Sequence, residues 1–265
     1  PYTVATRPNL AYGPLPAEKL DLCTPIGATG LRPGIIMIHG GGWAQGNKQA
    51  YDGACVTLAA HGFVAATLDY RLAPASLWPA QLVDVQLAVR WLRASAAQVS
   101  LDTGRLCAWG DSAGAHLAIF LGVDATIHPG DEAGVLANEA PNVTGCVVDD
   151  YGPVDLTTLG DQLQAEILQN LIGATAQADP AAYRDASPLF LVSAHSSPML
   201  IVQGSQDTLV PPAQSLALQA ALQRVQVPVH YISFPGGHAF LGLSQQQIQT
   251  ILLQIYTFLV ANVHP

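Results

Sequence analysis

The stretch "RLCAWGDSAGAHLAIFL" (residues 105–121) predicts a buried strand that turns sharply into a helix. Its first part is the short apolar run that a strand buried on both faces requires, and "AGAHLAIFL" has a helical pattern. Between them, "GDSAG" (110–114) has the spacing Gly-x-Ser-x-Gly, in which small residues at both ends allow a tight turn that lifts the serine above the sheet. Ser112 is therefore a candidate nucleophile. The alternative is a serine that only caps the helix.

Similar apolar runs recur along the chain and alternate with helical patterns. The predicted strands cover residues 34–40, 62–70, 105–110, 145–152, 198–204 and 229–234. Apolar residues recur at helical steps from Pro79 onward, and Ser244 with Gln247 can form a capping box before a C-terminal helix. This alternation predicts one α/β domain over residues 1–265, with a mostly parallel sheet flanked by helices. The first 33 residues indicate an antiparallel hairpin at the sheet edge instead.

A serine nucleophile needs a base, and histidine, with an ordinary pKa of about 6.5, suits proton exchange near neutral pH. The chain has eight histidines. His238 in "FPGGHAF" follows the last predicted strand, where two glycines leave the loop free to direct the ring. We interpret His39, at a strand end, and His116, in the helix after Ser112, as structural. His238 is therefore the candidate base.

The base needs a carboxylate that holds the imidazole in the correct tautomer and stabilises its charged form. Asp207, in "GSQDTLVP", follows one predicted strand and precedes a helix that starts near Pro211 or Pro212. Asp150, at the end of the preceding strand, is the rival. The order serine, aspartate, histidine is the one expected on this type of sheet. A turn or helix-capping role is the alternative for Asp207.

The glycines in "HGGGWAQGNK" (39–48) resemble those of nucleotide-binding loops, but two positions exclude that interpretation. A dinucleotide fingerprint starting at Gly40 requires glycine where Gln45 stands, and a phosphate loop requires lysine where Asn47 stands. What remains is a loop whose N–H groups face the nucleophile. The N–H groups of Gly41, Gly42 and Ala113 would then bind the oxygen that becomes negative when Ser112 attacks a carbonyl.

Composition limits the partners and the compartment. The net charge of -9 from 10 basic and 19 acidic residues disfavours nucleic acid and anionic membranes. No apolar run reaches the roughly 18 residues of a transmembrane helix, so we expect a soluble protein, and the shortage of lysine favours an exported one. We expect the four cysteines to be small buried hydrophobes, with Cys107 and Cys146 able to pair if their strands are neighbours. Their spacing does not suggest a metal site.

Several motifs together resemble those of α/β-hydrolase carboxylesterases. "HGGGW", "LDYRLAP", "WPAQLVDVQLAVRWL", "GDSAGAHLA", "GSQDTLVP" and "GGHAF" occur in that family's order and spacing. The chain is similar to the hormone-sensitive-lipase-like esterases and, more closely, to the small bacterial feruloyl and acetyl-xylan esterase-like group. The resemblance implies a triad of Ser112, Asp207 and His238, and an oxyanion hole of Gly41, Gly42 and Ala113. It also implies that Arg71 and Asp84 form a structural ion pair.

The chain departs from the hormone-sensitive-lipase-like pattern at its N-terminus, because "HGGGW" already starts at residue 39. We therefore expect no large N-terminal cap and a site open to bulky or polymer-linked esters. A small cap or lid is expected within residues 155–195, where the amphipathic segment 161–173 predicts an extra helix. Trp43 and Trp78 are candidate pocket walls, and Trp43 could equally be a structural plug.

These features predict a serine carboxylesterase that hydrolyses short-chain or aryl esters through an acyl-enzyme on Ser112, without metal or cofactor. The expected substrate is a small or polysaccharide-linked ester, and the protein is expected to be a monomer or homodimer. An amidase, formamidase or peptidase on the same triad is the alternative. A non-catalytic binding module is less favoured, because such proteins usually lose a triad member and all three are present.

Overall fold

An eight-stranded sheet organises the fold in the computed structural model, which describes residues 1–123, 136, 138–160 and 162–265. In chain order the described strands are β1 (Thr3–Ala11), β2 (Lys19–Ile26), β3 (Arg32–Ile38), β4 (Val64–Leu68), β5 (Leu101–Asp111), β6 (Cys146–Asp150), β7 (Met199–Gly204) and β8 (Val229–Phe234). Their spatial order is β1-β2-β4-β3-β5-β6-β7-β8. The strands from β4 to β8 in this order run parallel, whereas β1–β2 and β2–β4 are antiparallel. The predicted α/β-hydrolase sheet and N-terminal hairpin are confirmed.

Helices cover both faces of this sheet. The described α-helices are α1 (Asp52–Ala60), α2 (Ala80–Ala94), α3 (Ala96–Val99), α4 (Ala113–Gly122), α5 (Gln162–Ile172), α6 (Pro180–Asp185), α7 (Pro212–Arg224) and α8 (Gln245–Val263). The predicted capping box is present, since the Ser244 hydroxyl accepts from Gln247 N at 3.3 Å and the Gln247 side chain accepts from Ser244 N at 2.9 Å. The extra helix expected over 161–173 is α5. None of the described helices has the length and apolarity needed to cross a membrane.

The sheet separates two hydrophobic cores, because successive residues of a strand point to opposite faces. In β3, Ile36 and Ile38 pack in a first core with α2, α4 and α7, whereas Ile35 and Met37 pack in a second core with α1 and α8. Both faces of the central strands are therefore covered, which explains their continuous apolar runs. The carboxyl ends of β3, β5, β6 and β7 meet at one edge, where ligands bind in open parallel sheets.

The cysteines form two disulfides, which corrects the expectation of small buried hydrophobes. Cys107 and Cys146 are directly opposite each other on β5 and β6, with their Cα atoms 4.6 Å apart. Cys23 on β2 bonds to Cys55 on α1, with a Cα–Cα distance of 5.8 Å. The first pair follows from neighbouring strands. The second depends on α1 packing over β2, a contact between distant parts of the chain.

Arg71 and Asp84 form the expected ion pair, which ties the segment after β4 to α2. The Arg71 guanidinium Nη2 lies 2.6 Å from Asp84 Oδ1, and the Arg71 backbone N–H donates to Asp84 Oδ2 at 2.7 Å. Asp84 is fully buried. A buried carboxylate needs such pairing, so the two residues act in the structure of this region.

Candidate active site

Ser112 occupies a strained turn between β5 and α4. Its backbone has φ 51° and ψ −117°, a conformation that is costly for a residue with a side chain. Two glycines make the turn sterically feasible. A Cβ at Gly110 would meet the backbone of Gly114, and a Cβ at Gly114 would meet the carbonyl oxygen of Ile38 on the neighbouring strand. The Gly-x-Ser-x-Gly spacing therefore reflects the close approach of α4 to β3 and β5.

His238 connects the serine to a buried carboxylate. Its Nε2 lies 2.9 Å from Ser112 Oγ, and its Nδ1 lies 2.7 Å from Asp207 Oδ2. Tyr151 supports the ring from the side, with an edge-to-face contact of 4.9 Å between ring centroids. The structure thus brings together the serine, histidine and aspartate that the sequence singled out, in hydrogen-bonding geometry.

Asp207 follows β7 and is held by hydrogen bonds on both carboxylate oxygens. Its Oδ1 accepts from the backbone N–H groups of Leu209 and Val210, each at 2.9 Å. Its Oδ2 accepts from His238 and, at 3.2 Å, from the side-chain amide of Gln203. Leu209, Val210 and Gln203 all donate to this carboxylate. Since only an acceptor suits this position, the carboxylate directs His238 to carry its proton on Nδ1 and to present a bare Nε2 to Ser112.

Gln203 is a supporting residue that the sequence reasoning missed. Its Nε2 also donates to the carbonyl of Val210 at 3.1 Å, and its Oε1 accepts from the hydroxyl of Ser215 at 2.8 Å. Gln203 therefore links Asp207 to α7. A signal was present, because an amide inside the apolar run "LIVQG" must be hydrogen-bonded when it is buried.

Asp150, the rival acid, does not reach His238. Its Oδ2 accepts from the indole N–H of Trp109 at 2.8 Å, and its backbone carbonyl accepts from Ser112 N at 2.8 Å. Burial raises the pKa of Asp150 well above its usual range; the hydrogen bond from Trp109 opposes this shift, and the negative charges of Asp111 and Asp149 add to it. The geometry therefore favours Asp207 over Asp150 as the partner of His238.

The glycine loop after β3 carries backbone N–H groups near Ser112 that can still donate hydrogen bonds. Gly41 and Gly42 have positive φ values of 113° and 60°, and a Cβ at Gly41 would overlap the backbone of Gln45. Among the residues that the structure describes, no acceptor lies within hydrogen-bonding distance of the N–H groups of Gly41, Gly42 and Ala113. These are the donors that the sequence predicted for an oxyanion, and they are unpaired.

His39 and His116, which the sequence indicated as structural, are both buried. His39 stacks on Tyr70 with ring centroids 4.4 Å apart. His116 accepts from the indole N–H of Trp43 at 3.3 Å through Nδ1 and contacts the carbonyl of Ala186 at 2.8 Å through Nε2. Burial lowers the pKa of His116 to about 4, so it is neutral near pH 7.

Trp43 and Trp78 differ in their relation to the site. Trp43 borders the cavity beside Ser112, but its side chain is 3% exposed and its indole N–H is bound to His116, so it is largely a plug. Trp78 does not lie in the cavity wall. It packs behind the cavity, with ring centroids 5.5 Å from His116 and 5.1 Å from Phe120. The structure therefore does not support direct substrate contact for Trp78.

A cavity of about 380 Å³ borders Ser112 and His238. Helix α5 forms much of its roof through Ile167 and Leu168, and the loop after Asp207 adds Leu209 and Val210. Gln164 joins these two parts, since its side chain donates to the carbonyl of Leu209 at 2.9 Å. In the part of the chain that the structure describes, no group of acidic, histidine or cysteine side chains has the arrangement of a metal site.

A model of the BD-FAE family matches residues 20–222. The chain belongs to the BD-FAE family. This membership confirms the resemblance to feruloyl and acetyl-xylan esterase-like proteins drawn from the motifs. The match runs from within β2 to within α7, so it includes Ser112 and Asp207, while His238 lies beyond its end.

Curated relatives of this BD-FAE family member include esterase LipC of Mycobacterium tuberculosis, 31% identical over 88% of the chain and 60% of LipC. The probable carboxylic ester hydrolase LipM of the same organism is 30% identical over 95% of the chain and 60% of LipM. The chain thus spans about 60% of the length of these relatives.

Solved structures give the same fold. A truncated carbohydrate esterase from gut microbiota superposes with a TM-score of 0.81 at 25% identity, over 98% of the chain and 97% of that protein. An acetyl ester-xyloside bifunctional hydrolase from Caldicellulosiruptor lactoaceticus superposes with a TM-score of 0.77 at 24% identity, over 92% and 89%. The family match, the curated relatives and the solved structures therefore agree on the fold of this BD-FAE family member.

Proposed function

We propose that the protein is a serine carboxylesterase that acts through an acyl-enzyme on Ser112. The observation that carries the proposal is the hydrogen-bonded series from Ser112 through His238 to Asp207, beside three N–H groups for which the described residues provide no acceptor. In a serine hydrolase, these are the nucleophile, the base, the orienting acid and the oxyanion hole.

The reaction follows from these positions. His238 Nε2 removes the proton of Ser112 as its Oγ attacks the ester carbonyl, and Asp207 stabilises the resulting imidazolium. The carbonyl oxygen becomes negative and is bound by the N–H groups of Gly41, Gly42 and Ala113. His238 then protonates the departing alcohol, and water hydrolyses the acyl-enzyme by the same steps. None of these steps needs a metal or an organic cofactor.

The substrate class is a small ester or an ester linked to a polysaccharide. The relatives are named esterases, which favours esters over the amides that the same triad could cleave. Two solved neighbours are named a carbohydrate esterase and an acetyl ester-xyloside bifunctional hydrolase. We also propose that residues 1–265 act as one domain, with the segment 155–195 as a small cap through α5. The disulfides favour export, because such bonds persist in oxidising compartments.

Replacement of the nucleophile tests the mechanism. We expect Ser112→Ala to lose activity on p-nitrophenyl butyrate by about 10⁴-fold or more, and to lose labelling by a fluorophosphonate. Ser233→Ala, which removes an exposed hydroxyl on β8, is the matched control and should behave like the wild type. A Ser112→Ala variant that hydrolyses the ester at the wild-type rate, or an unlabelled Ser112 in the wild type, would overturn the proposal.

A further inference from the structure

The cavity beside Ser112 has two chemically different walls. One wall is apolar and comes from α5 and the loops near it, with Leu159, Ile167, Leu168, Leu209 and Val210. The other wall contains Asp111, the last residue of β5, and Tyr151, which directly follows the neighbouring strand β6. An ester has two parts, an acyl group and an alcohol, so unlike walls imply different preferences for the two parts.

The two walls lie toward opposite faces of the sheet. In β5, Gly110 faces α4, because a Cβ there would meet Gly114 and Ala115. Asp111 therefore points to the other face, like Trp109 two residues earlier, which packs in the second core. Helix α5 belongs to the first core through Leu168 and Leu171. The Asp111 side chain thus lies on the face of the sheet opposite to α5.

Asp111 has one carboxylate oxygen in use and one available. Its Oδ1 accepts from the backbone N–H of Gly40 and from the hydroxyl of Tyr51, each at 3.0 Å. No donor contacts its Oδ2 among the described residues, and the residue is only half-buried at the cavity wall. The bonds to Oδ1 hold the carboxylate in place, and Oδ2, which packs against the backbone of Gly40, is left as an acceptor on the residue that precedes the nucleophile.

Tyr151 adds a hydroxyl to this wall. No described residue hydrogen-bonds to it, although the side chain is 4% exposed and borders the cavity. Burial, together with the negative charges of Asp150, Asp111 and Asp207, raises the pKa of Tyr151, so the group stays a neutral hydroxyl. It can therefore both donate to and accept from a ligand.

His238 indicates which part of the ester meets this wall. As general acid, it must reach the oxygen of the departing alcohol within hydrogen-bonding distance. The ring of Tyr151 packs edge-on against His238, with 4.9 Å between centroids. We therefore expect an alcohol placed to receive the proton to lie next to Tyr151, on the side of the cavity that also carries Asp111, and the acyl group to extend toward the apolar wall formed by α5.

We infer that Asp111 and Tyr151 determine specificity for the alcohol, by binding a hydroxyl group carried on the leaving alcohol and disfavouring an alcohol that carries a carboxylate. The inference rests on the proposed esterase function. Beyond that function, it assigns a preference for the type of alcohol to the Asp111 carboxylate and the Tyr151 hydroxyl, which take no part in the hydrolytic steps.

Butyrate esters that differ only in the alcohol test the selection. The measured quantity is kcat/KM for 2-hydroxyethyl butyrate and for butyryloxyacetate, each divided by kcat/KM for ethyl butyrate. In Asp111→Asn, the amide oxygen can still accept from Gly40 and Tyr51, while an N–H group replaces the free oxygen. We expect the hydroxyethyl ratio to fall about tenfold, because a charge-assisted hydrogen bond is lost, and the butyryloxyacetate ratio to rise.

Two further variants keep the test decisive. Tyr151→Phe retains the ring against His238 and removes only the hydroxyl, so the hydroxyethyl ratio should fall several-fold. Asp52→Asn, the same chemical change at an exposed position in the first turn of α1, should leave both ratios at the wild-type values. Unchanged ratios in both Asp111→Asn and Tyr151→Phe would overturn the inference.

The side of the ester is tested separately with methyl 3-hydroxybutyrate and methyl butyrate, which differ in the acyl group. Their ratio should be the same in Asp111→Asn and in the wild type. A fall confined to this acyl pair would overturn the assignment of Asp111 to the alcohol. Failure of the esterase proposal looks different, because the wild-type protein would then hydrolyse none of these esters and Ser112 would not react with a fluorophosphonate.

Discussion

Replacement of Asp207 by asparagine tests how the carboxylate acts on His238. In the wild-type structure, Oδ1 accepts from Leu209 N and Val210 N, both at 2.9 Å, so the oxygen of an asparagine must take this place. Its NH₂ group then occupies the position of Oδ2 and faces His238 Nδ1, which becomes an acceptor. The proton of the neutral imidazole moves to Nε2, where it points at Ser112, and the base is lost.

The opposite orientation of the asparagine amide would not restore the base, because it is also unfavourable. It would set the NH₂ group against the two backbone N–H groups of Leu209 and Val210, so that donors face donors. In the preferred orientation, the NH₂ group also meets the side-chain amide of Gln203, which donates to Oδ2 at 3.2 Å in the wild type. A buried pair left unsatisfied costs about 1–3 kcal/mol, so we expect a lower melting temperature as well.

The expected loss is about 10⁴-fold in kcat, the magnitude known for the wrong histidine tautomer in serine proteases, or about 5.4 kcal/mol at 1.36 kcal/mol for each factor of ten. It would be measured as kcat on p-nitrophenyl butyrate, with circular dichroism to verify the fold. Asp52→Asn again provides the matched control. A folded Asp207→Asn variant within tenfold of the wild-type kcat would refute the tautomer argument and return Asp150 to consideration.

Two further predictions concern stability. Burial raises the pKa of Asp149 from 3.8 to about 7, so between these values the folded state holds a proton that the unfolded state releases, and stability is lost as the pH rises through this window. Asp149→Asn removes this titration, and its free energy of unfolding relative to the wild type should rise by up to about 4 kcal/mol between pH 4 and pH 8; a pH-independent difference in urea unfolding would contradict this. The disulfides close sequence separations of 32 and 39 residues, and chain entropy assigns about 4 kcal/mol to each. Reduction should therefore lower the urea midpoint and release four thiols, and an unchanged midpoint after verified reduction would count against this contribution.

The sequence was most informative where chemistry and local structure coincide. The parallel sheet followed from apolar runs alternating with helical patterns, and the elbow followed from "GDSAG" between a strand and a helix. His238 could be selected because glycines precede it after the last strand. Each of these inferences depends on a short segment of sequence. The close approach of α4 to β3, for example, requires glycine within "GDSAG" itself, so the sequence shows it directly.

The features that the sequence did not predict depend on contacts between distant segments. The disulfide between Cys23 and Cys55 requires α1 to pack over β2, and the bond from Gln203 to Asp207 requires the chain to turn back after β7. Trp78 looked like a pocket wall, but packing against His116 and Phe120 places it behind the cavity. Residue type indicated what these side chains can do, whereas the tertiary contacts decided which partner each one has.

The glycine loop illustrates how the fold limits the freedom that glycine introduces. Three glycines in a row would give a flexible loop, whose N–H groups would have to be ordered during each reaction. Other polar groups in this loop are already bound, and their partners come from the end of β5, from the segment after β4 and from the loop itself. Gly40 N donates to Asp111 Oδ1, the carbonyl of His39 accepts from the Tyr70 hydroxyl, the carbonyl of Gly41 accepts from Gln45 N, and the carbonyl of Trp43 accepts from Ala73 N. Within the described part of the chain, the N–H groups of Gly41 and Gly42 are left without acceptors, so the donors are fixed in direction before a substrate binds. Stabilisation of an oxyanion then requires little reorganisation, which is the condition under which such donors contribute most to the rate.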